Sequence, residues 1–370
     1  MQGETSVRQS VSVGLGEQAL LAEAVEGAMA LTARVLGDFV DQRVRVASGR
    51  SDVAARLWTD LAAVVGGKLM RPRLAVAAYL GLGGGEVAAV ARVAAAVEVL
   101  HTAMLVHDDL LDHDEVRRGR PNVAGATRAR LGGRGLDPRA VDDQVLAAGL
   151  LAGDLAIAAA FSLVASAPTD PQARLRVIER LADGIETTVV GELLDIAAAL
   201  DGPRDVDALA VAELKTAAYS GSLPLVVGAI LAGADDDTVA ALSAVGSALG
   251  VAFQLTDDDL GVFGDAQVTG KSTLSDLREG KRTELLRRTY ALADETGQAV
   301  LDRFVGRADL DDAGAAQVRA VMRESGALDS VRELTRRTAQ HACDLALGTL
   351  PEPLGGYLVG VVDDLVGRGH

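Results

Sequence analysis

The stretch "VAAVARVAAAVEVLHTAMLV", Val87 to Val106, is apolar apart from Arg92, Glu98, His101 and Thr102. Its alanines and leucines favour a helix, and its apolar residues cover most of the circumference instead of one stripe. Such a helix cannot lie on a surface. It has to be wrapped by other elements, and the chain supplies them. Glycine and proline punctuate it at 66–67, 81–85, 131–138, 166–171, 200–205 and 351–356. Between these points lie helix-length segments with apolar residues three and four apart, among them 18–48, 52–64, 86–113, 141–166, 171–200, 206–219, 222–232, 236–262 and 282–298. No strand series and no fixed-period repeat stands out. The expected fold is all-α, a single large helical bundle, with residues 1–16 frayed, 17–370 forming one domain, and 126–145 an exposed loop or lid.

Of the 370 residues 49% are hydrophobic, enough for a sizeable core, and acids outnumber bases by 52 to 36. A net charge of −16 repels polyanions, so nucleic acid and anionic membrane surfaces are poor partners. The N-terminus lacks a basic start followed by an apolar core, and no segment shows about 18 uninterrupted apolar residues. A cytoplasmic protein without a transmembrane segment is expected. Cys343 is the single cysteine, which excludes an intramolecular disulfide and a cysteine-based metal cluster.

The apolar run ends in "VHDDLLDHDE". Asp108 and Asp112, four apart, share a helix face, with Asp109 about 100° round. Carboxylates at a helix C-terminus are disfavoured by about 0.3–1 kcal/mol each, so a positive charge should compensate. A second cluster, Asp257, Asp258 and Asp259 in "FQLTDDDLGVFGD", closes another apolar helix. Oxygen donors alone favour a hard cation, and Mg²⁺ takes one or two carboxylates together with water and substrate phosphates. A single acid pair is usually a solvated helix end; two at equivalent helix ends point to magnesium and a diphosphate. His101, His107 and His113 do not form a zinc site, since steps of six residues turn each about 240° from the last. His101 is either a core histidine or a donor to an anion.

Only four of the 36 basic residues are lysines: Lys68, Lys215, Lys271 and Lys281. In a chain that otherwise uses arginine, they mark places where a compact ammonium is wanted. Lys68 lies in "GGKLMRPR" beside Arg71 and Arg73; Lys215 precedes Thr216; Lys271 and Lys281 follow the second acid cluster. Arg117 and Arg118 in "EVRRGRPN" follow the first and are placed to reach phosphate oxygens.

From about Gly66 to Arg282 these motifs resemble those of the trans-isoprenyl diphosphate synthases, the polyprenyl synthetase family. "GGKLMRP" is similar to the family's isopentenyl diphosphate segment, "DDLLD" with "RRGRPN" to its first aspartate-rich motif, and the stretch from "FQLTDDDLGVFGD" to "EGKRT" to its second. The resemblance implies helices around a central cavity, a homodimer, and head-to-tail transfer of an allylic diphosphate (dimethylallyl, geranyl or farnesyl) to isopentenyl diphosphate with Mg²⁺, three per site. By position, Lys68, Arg71, His101 and Arg118 correspond to the isopentenyl diphosphate contacts. Arg117, Lys215, Thr216, Gln254, Lys271 and Lys281 correspond to the allylic diphosphate set. Asp108, Asp112 and Asp257 correspond to the principal metal ligands, with Asp258 beside them and Asp109 in support.

Two positions depart from the family pattern. Gly261 stands where a third aspartate of the second motif is common, with Asp265 further on, and Glu192 stands where glutamine is usual. Product length is expected to depend on the helix below Asp108, where Met104 lies about 6 Å and Ala103 about 7.5 Å down the axis. A small residue at 103 argues against stopping at C10 or C15, so geranylgeranyl diphosphate (C20) is expected, with C25 or longer as the alternative. A terpene cyclase would lack "GGKLMRP" and the second Asp cluster. A non-catalytic partner subunit is the other rival, resting on Gly261 and Glu192.

Overall fold

A computed structural model describes residues 2–200, 202–264 and 273–367, with side chains from residue 16 onward. The fold is all-helical, as the periodicity requires, and contacts divide the chain into two compact units. One is Met1–Leu181 with Pro224–Asp235; the other is Ala182–Leu223 with Asp236–His370.

The first unit contains α1 (Gln2–Ser48), α2 (Asp52–Val64), α3 (Met70–Gly81), α4 (Val87–Leu111), α5 (Val123–Leu131), α6 (Pro138–Ala165), the start of α7 (Pro171–Ala198), and nearly all of α9 (Leu223–Leu231). The apolar run is α4, and it packs against α1, α3 and α6. Val90, Val93, Ala94 and Ala103 are fully enclosed. Helix α6 comes close to α4 because Gly153 has no side chain: a Cβ there would strike the ring of His107, whose Nε2 lies 3.3 Å from Leu150 O.

The second unit holds the rest of α7, α8 (Ala208–Val211), a π-helix (Ala212–Ser222), α10 (Asp236–Phe263), α11 (Ser275–Glu279), α12 (Glu284–Leu292), α13 (Glu295–Phe304), α14 (Asp312–Glu324), α15 (Ala327–Thr349) and α16 (Leu354–Val366). Helix α10 lies between the π-helix and α15. Its lower half joins a core of Leu255, Val262, Leu285, Leu301, Val318 and Met322, each such buried side chain contributing about 1.5–3 kcal/mol.

Several local readings change. The expected loop at 126–145 shrinks to the six residues between α5 and α6, because Asn122 caps α5 through Gly125 N (2.9 Å), and Asp137 with Pro138 starts α6. The segment 282–298 is two helices, broken where Asp294 caps the second through Gly297 N (2.8 Å). A two-residue hairpin, β1 (Val116–Arg117) with β2 (Arg120–Pro121), turns at Arg118 and Gly119, both with positive φ. The segments read as 206–219 and 222–232 run together through the π-helix.

Among the described residues, four stretches, Val87–Leu111, Pro138–Ala165, Ala208–Leu231 and Asp236–Phe263, are long and apolar enough to cross a membrane by length and composition. Isolated charges interrupt them, which is why no uninterrupted run stands out in the sequence. The apolar window of α4 is 83% buried within the protein, whereas that of α6 is 39% buried.

Candidate active site

Helix α4 delivers the first acid cluster at its C-terminal end, with Asp108 and Asp109 in the last turn and Asp112 as the C-cap. The predicted compensating charge is Arg117 on β1. Its Nε donates to Asp109 Oδ1 at 2.5 Å, and its Nη2 lies 3.3 Å from Asp108 Oδ2. Asp109 is 3% exposed; burial pushes its carboxyl up while Arg117 pulls it back. Asp109 and Arg117 therefore form a buried support for Asp108, and the Arg117 guanidinium is engaged by carboxylates in this state.

Glu115 lies just before β1. It takes the guanidinium of Arg128, which also holds Asp142 at 2.9 Å, while Asn122 Nδ2 donates to Asp114 O at 2.7 Å. These bonds pin the hairpin to α5 and α6.

The glycine-rich loop before α3 and the hairpin turn build a cationic patch. The Arg118 guanidinium donates to Gly66 O and lies over Gly67, where a Cβ would come within 2.7 Å of Nη1. Gly67 also has φ +135, so both the approach and the backbone call for glycine. Arg71 and Arg118 act electrostatically on His101 and on Glu98, three residues earlier on α4. His101 is buried, and burial, reinforced by Arg71, Arg118 and Arg117, holds its pKa well below the usual value. Both effects favour the neutral imidazole over the cation. Burial pushes the Glu98 carboxyl up, against the pull of the two arginines. Lys68 is exposed on the same loop. The sequence-predicted residues Arg71, His101 and Arg118 are thus gathered. Glu98 was missed, though a lone acid inside an alanine-rich run was its signal.

In the second unit the end of α10 presents three aspartates in three directions. Asp257 is exposed. Asp258 accepts from Gln254 Nε2 at 2.7 Å and is pushed up to about 8 by burial, with Asp276 and Asp257 adding to the shift. Asp259 takes a two-pronged bond from Arg332 on α15, Nε to Oδ2 at 2.7 Å and Nη2 to Oδ1 at 3.2 Å. Arg319 on α14 closes the helix end, donating to Val262 O at 2.7 Å and to Thr273 O at 3.1 Å. Arg319 and Arg332, from the C-terminal helices, thus brace this cluster. Lys281 Nζ lies 3.2 Å from Glu279 Oε2. Lys271 and Asp265 fall outside the described residues.

Lys215 and Thr216 lie on the π-helix, a geometry that recurs at functional sites. Close contacts surround it. A Cβ at Gly250 would come within 2.5 Å of Ala217 Cα, and one at Gly191 would strike Lys215 N. Lys215 Nζ lies 3.0 Å from Glu192 Oε2 and 2.6 Å from Asp195 Oδ2. The unusual glutamate at 192 is therefore a partner of Lys215. A glutamine there would leave the ammonium with one fewer negative charge.

Among the described residues no group of three or more His, Cys, Asp or Glu side chains is gathered to hold a metal ion. The oxygen donors Asp108 and Asp112 at the end of α4 and Asp257 at the end of α10 suit cations completed by water and phosphate oxygens.

Residues 59–322 match the polyprenyl synthetase family, and the chain belongs to it. It is a trans-prenyl diphosphate synthase, a prenyltransferase. It is 34% identical over 285 residues to the geranylfarnesyl diphosphate synthase of Aeropyrum pernix, covering 76% of this chain and 83% of that one. It is 32% identical over 289 residues to the geranylgeranyl diphosphate synthase of Mycobacterium tuberculosis, covering 77% and 75%. The crystal structure of geranylgeranyl pyrophosphate synthase from Corynebacterium glutamicum, complexed with isoprenyl diphosphate and magnesium, superposes with a TM-score of 0.86 at 27% identity, covering 93% of this chain and 99% of that one.

The brace on Asp259 is testable. Arg332→Met leaves a largely buried carboxylate unpaired and is expected to lower stability by about 1–3 kcal/mol in denaturant melts. Adding Asp259→Asn should recover most of that loss; an unchanged melt for Arg332→Met would contradict the role.

Proposed function

We propose that the enzyme condenses isopentenyl diphosphate with an allylic diphosphate, head to tail and with Mg²⁺, and releases geranylgeranyl diphosphate. The observation that carries this reading is the pairing, within one unit, of the Asp108/Asp112 helix end with the arginines Arg71 and Arg118 that act on the buried His101. Acid for a metal-bound diphosphate and base for a second diphosphate then lie on and around one apolar helix.

Asp108, Asp112 and Asp257 would hold the magnesium ions, which when bound supply charge neutralisation for the departing diphosphate. Arg117 and Asp109 fix the orientation of Asp108, and Gln254 fixes that of Asp258. Lys68, Arg71 and Arg118 grip isopentenyl diphosphate, with His101 donating its N–H, and so set its double bond against the allylic carbon. Lys215, Thr216, Lys271 and Lys281 are assigned to the allylic diphosphate. The new carbon–carbon bond forms as the allylic carbon–oxygen bond breaks, and the proton lost from the isopentenyl unit passes to the released diphosphate. The alanine and valine wall of α4 keeps water from the reacting carbons.

Met104, one turn before Asp108 and half-buried, and Ala103, wholly buried, are the residues proposed to limit chain length. A C25 product is the alternative, favoured by the geranylfarnesyl synthase relative. Purified enzyme with labelled isopentenyl diphosphate, Mg²⁺ and each primer should elongate to C20, read by chromatography after dephosphorylation. Ala103→Phe or Met104→Phe should shorten the product. No elongation by the isolated chain would favour a subunit of a heteromeric synthase, and unchanged length in both variants would overturn the chain-length assignment.

The active form is proposed to be a homodimer in the cytoplasm. Its support is exposed apolar surface, Leu146, Leu150 and Leu151 on α6, and Val189, Val190 and Leu193 on α7. Sedimentation equilibrium should give a dimer at micromolar concentration and a monomer for Leu150→Glu with Leu193→Glu. A monomeric parent would contradict it.

A further inference from the structure

The two acid clusters are built differently. On α4, Asp108 and Asp112 lie four residues apart, so two carboxylates of one helix share a face. On α10 the position four after Asp257 is Gly261, and the helix offers nothing there. The space beside Gly261 is nevertheless filled. A Cβ built on that glycine would run into Asp276 Oδ2, with Asp276 Cγ 3.2 Å and Oδ1 3.9 Å away, and those three atoms are its nearest neighbours. A carboxylate from α11 thus stands where a side chain at 261 would begin, and residues four apart on a helix have Cβ atoms about 5–6 Å apart.

Asp276 is held there from several sides. Leu277 is 3% exposed in the core of the second unit. Gly306 N donates to Leu277 O at 2.8 Å, Arg278 donates twice to Leu310 O at 2.8 and 3.0 Å, and Lys281 N donates to Asp276 O at 3.0 Å. Arg319 holds Thr273, two residues before the helix. A half-buried carboxylate on so fixed a turn has little freedom to leave.

We infer that Asp276 is the second carboxylate of the Asp257 metal site, delivered from α11 to the place one turn along α10 that Gly261 leaves without a side chain. The inference rests on the reading of Asp257 as a magnesium ligand. It makes positions 261 and 276 a coupled pair. Any side chain at 261 collides with Asp276, and removing Asp276 opens room for an acid at 261. It also gives Gly261 a function, since the glycine lets the carboxylate in instead of marking a lost ligand.

The test uses the full-length protein and calorimetric titration of Mg²⁺ with inorganic diphosphate held saturating. Asp276→Asn keeps the shape of the side chain and should weaken Mg²⁺ binding by about tenfold or more, with an unchanged melting temperature in metal-free buffer. Gly261→Asp alone should also weaken it, through the collision. Gly261→Asp with Asp276→Gly should bring affinity back to within about threefold of the parent, by the coupling expected of two groups sharing one space. Unchanged affinity in Asp276→Asn, while Asp257→Asn loses it, would overturn the inference and leave the metal reading standing. Unchanged affinity in Asp257→Asn and Asp108→Asn as well would overturn the metal reading itself.

Discussion

Carboxylates at a helix C-terminus lie against the negative end of the macrodipole, at a cost of about 0.3–1 kcal/mol each. Much of the structure around the ends of α4 and α10 offsets that cost. At α4 the offset is Arg117, carried back on a two-residue hairpin whose turn requires positive φ at Arg118 and Gly119. At α10 it is divided: Gln254 takes Asp258, Arg332 takes Asp259, and Arg319 takes the carbonyl of Val262. Asp257 is left as the exposed member. The supports distinguish the acids tied to Gln254, Arg332 and Arg117 from those proposed to meet a ligand.

The cationic groups follow the same division. Arg117, Arg319 and Arg332 use the planar fork of guanidinium to brace carboxylates and carbonyls, where two parallel bonds fix an orientation. Lys68, on its glycine-rich loop, is exposed, while Lys215 is drawn between Glu192 and Asp195 on the π-helix. An ammonium so paired is positioned and partly neutralised at once. On the proposed function, Glu192 would set the charge that a diphosphate meets at that lysine.

The helical class, the enclosed position of α4 and the placing of Arg71, Arg118 and His101 around that helix were legible in the sequence. Each depends on spacing along one segment: the apolar circumference of 87–106, the four-residue step from Asp108 to Asp112, the scarcity of lysine. What was not legible depends on segments far apart in the chain. Arg332 is 73 residues from Asp259, and no spacing rule pairs them. Gly261 reads in the sequence as a departure from the family pattern, and nothing local says that Asp276 comes back to the same place. The helices on either side of the glycine-rich stretch at 131–138 were underestimated for a different reason. Arginine-rich and acidic residues there looked like loop, whereas caps at Asn122 and Asp137 are enough to start helices on both sides.

The central claim is that Asp108, Asp112 and Asp257 serve a metal-bound diphosphate. Crystals grown with Mn²⁺ and inorganic diphosphate, with the metal located by anomalous scattering, test this most directly. The account predicts manganese within coordination distance of Asp108 and Asp112 and of Asp257, each ion also touching a diphosphate oxygen, with Asp109 and Asp259 still on their arginines. Diphosphate bound by arginine and lysine alone, with no manganese on those carboxylates, would contradict it.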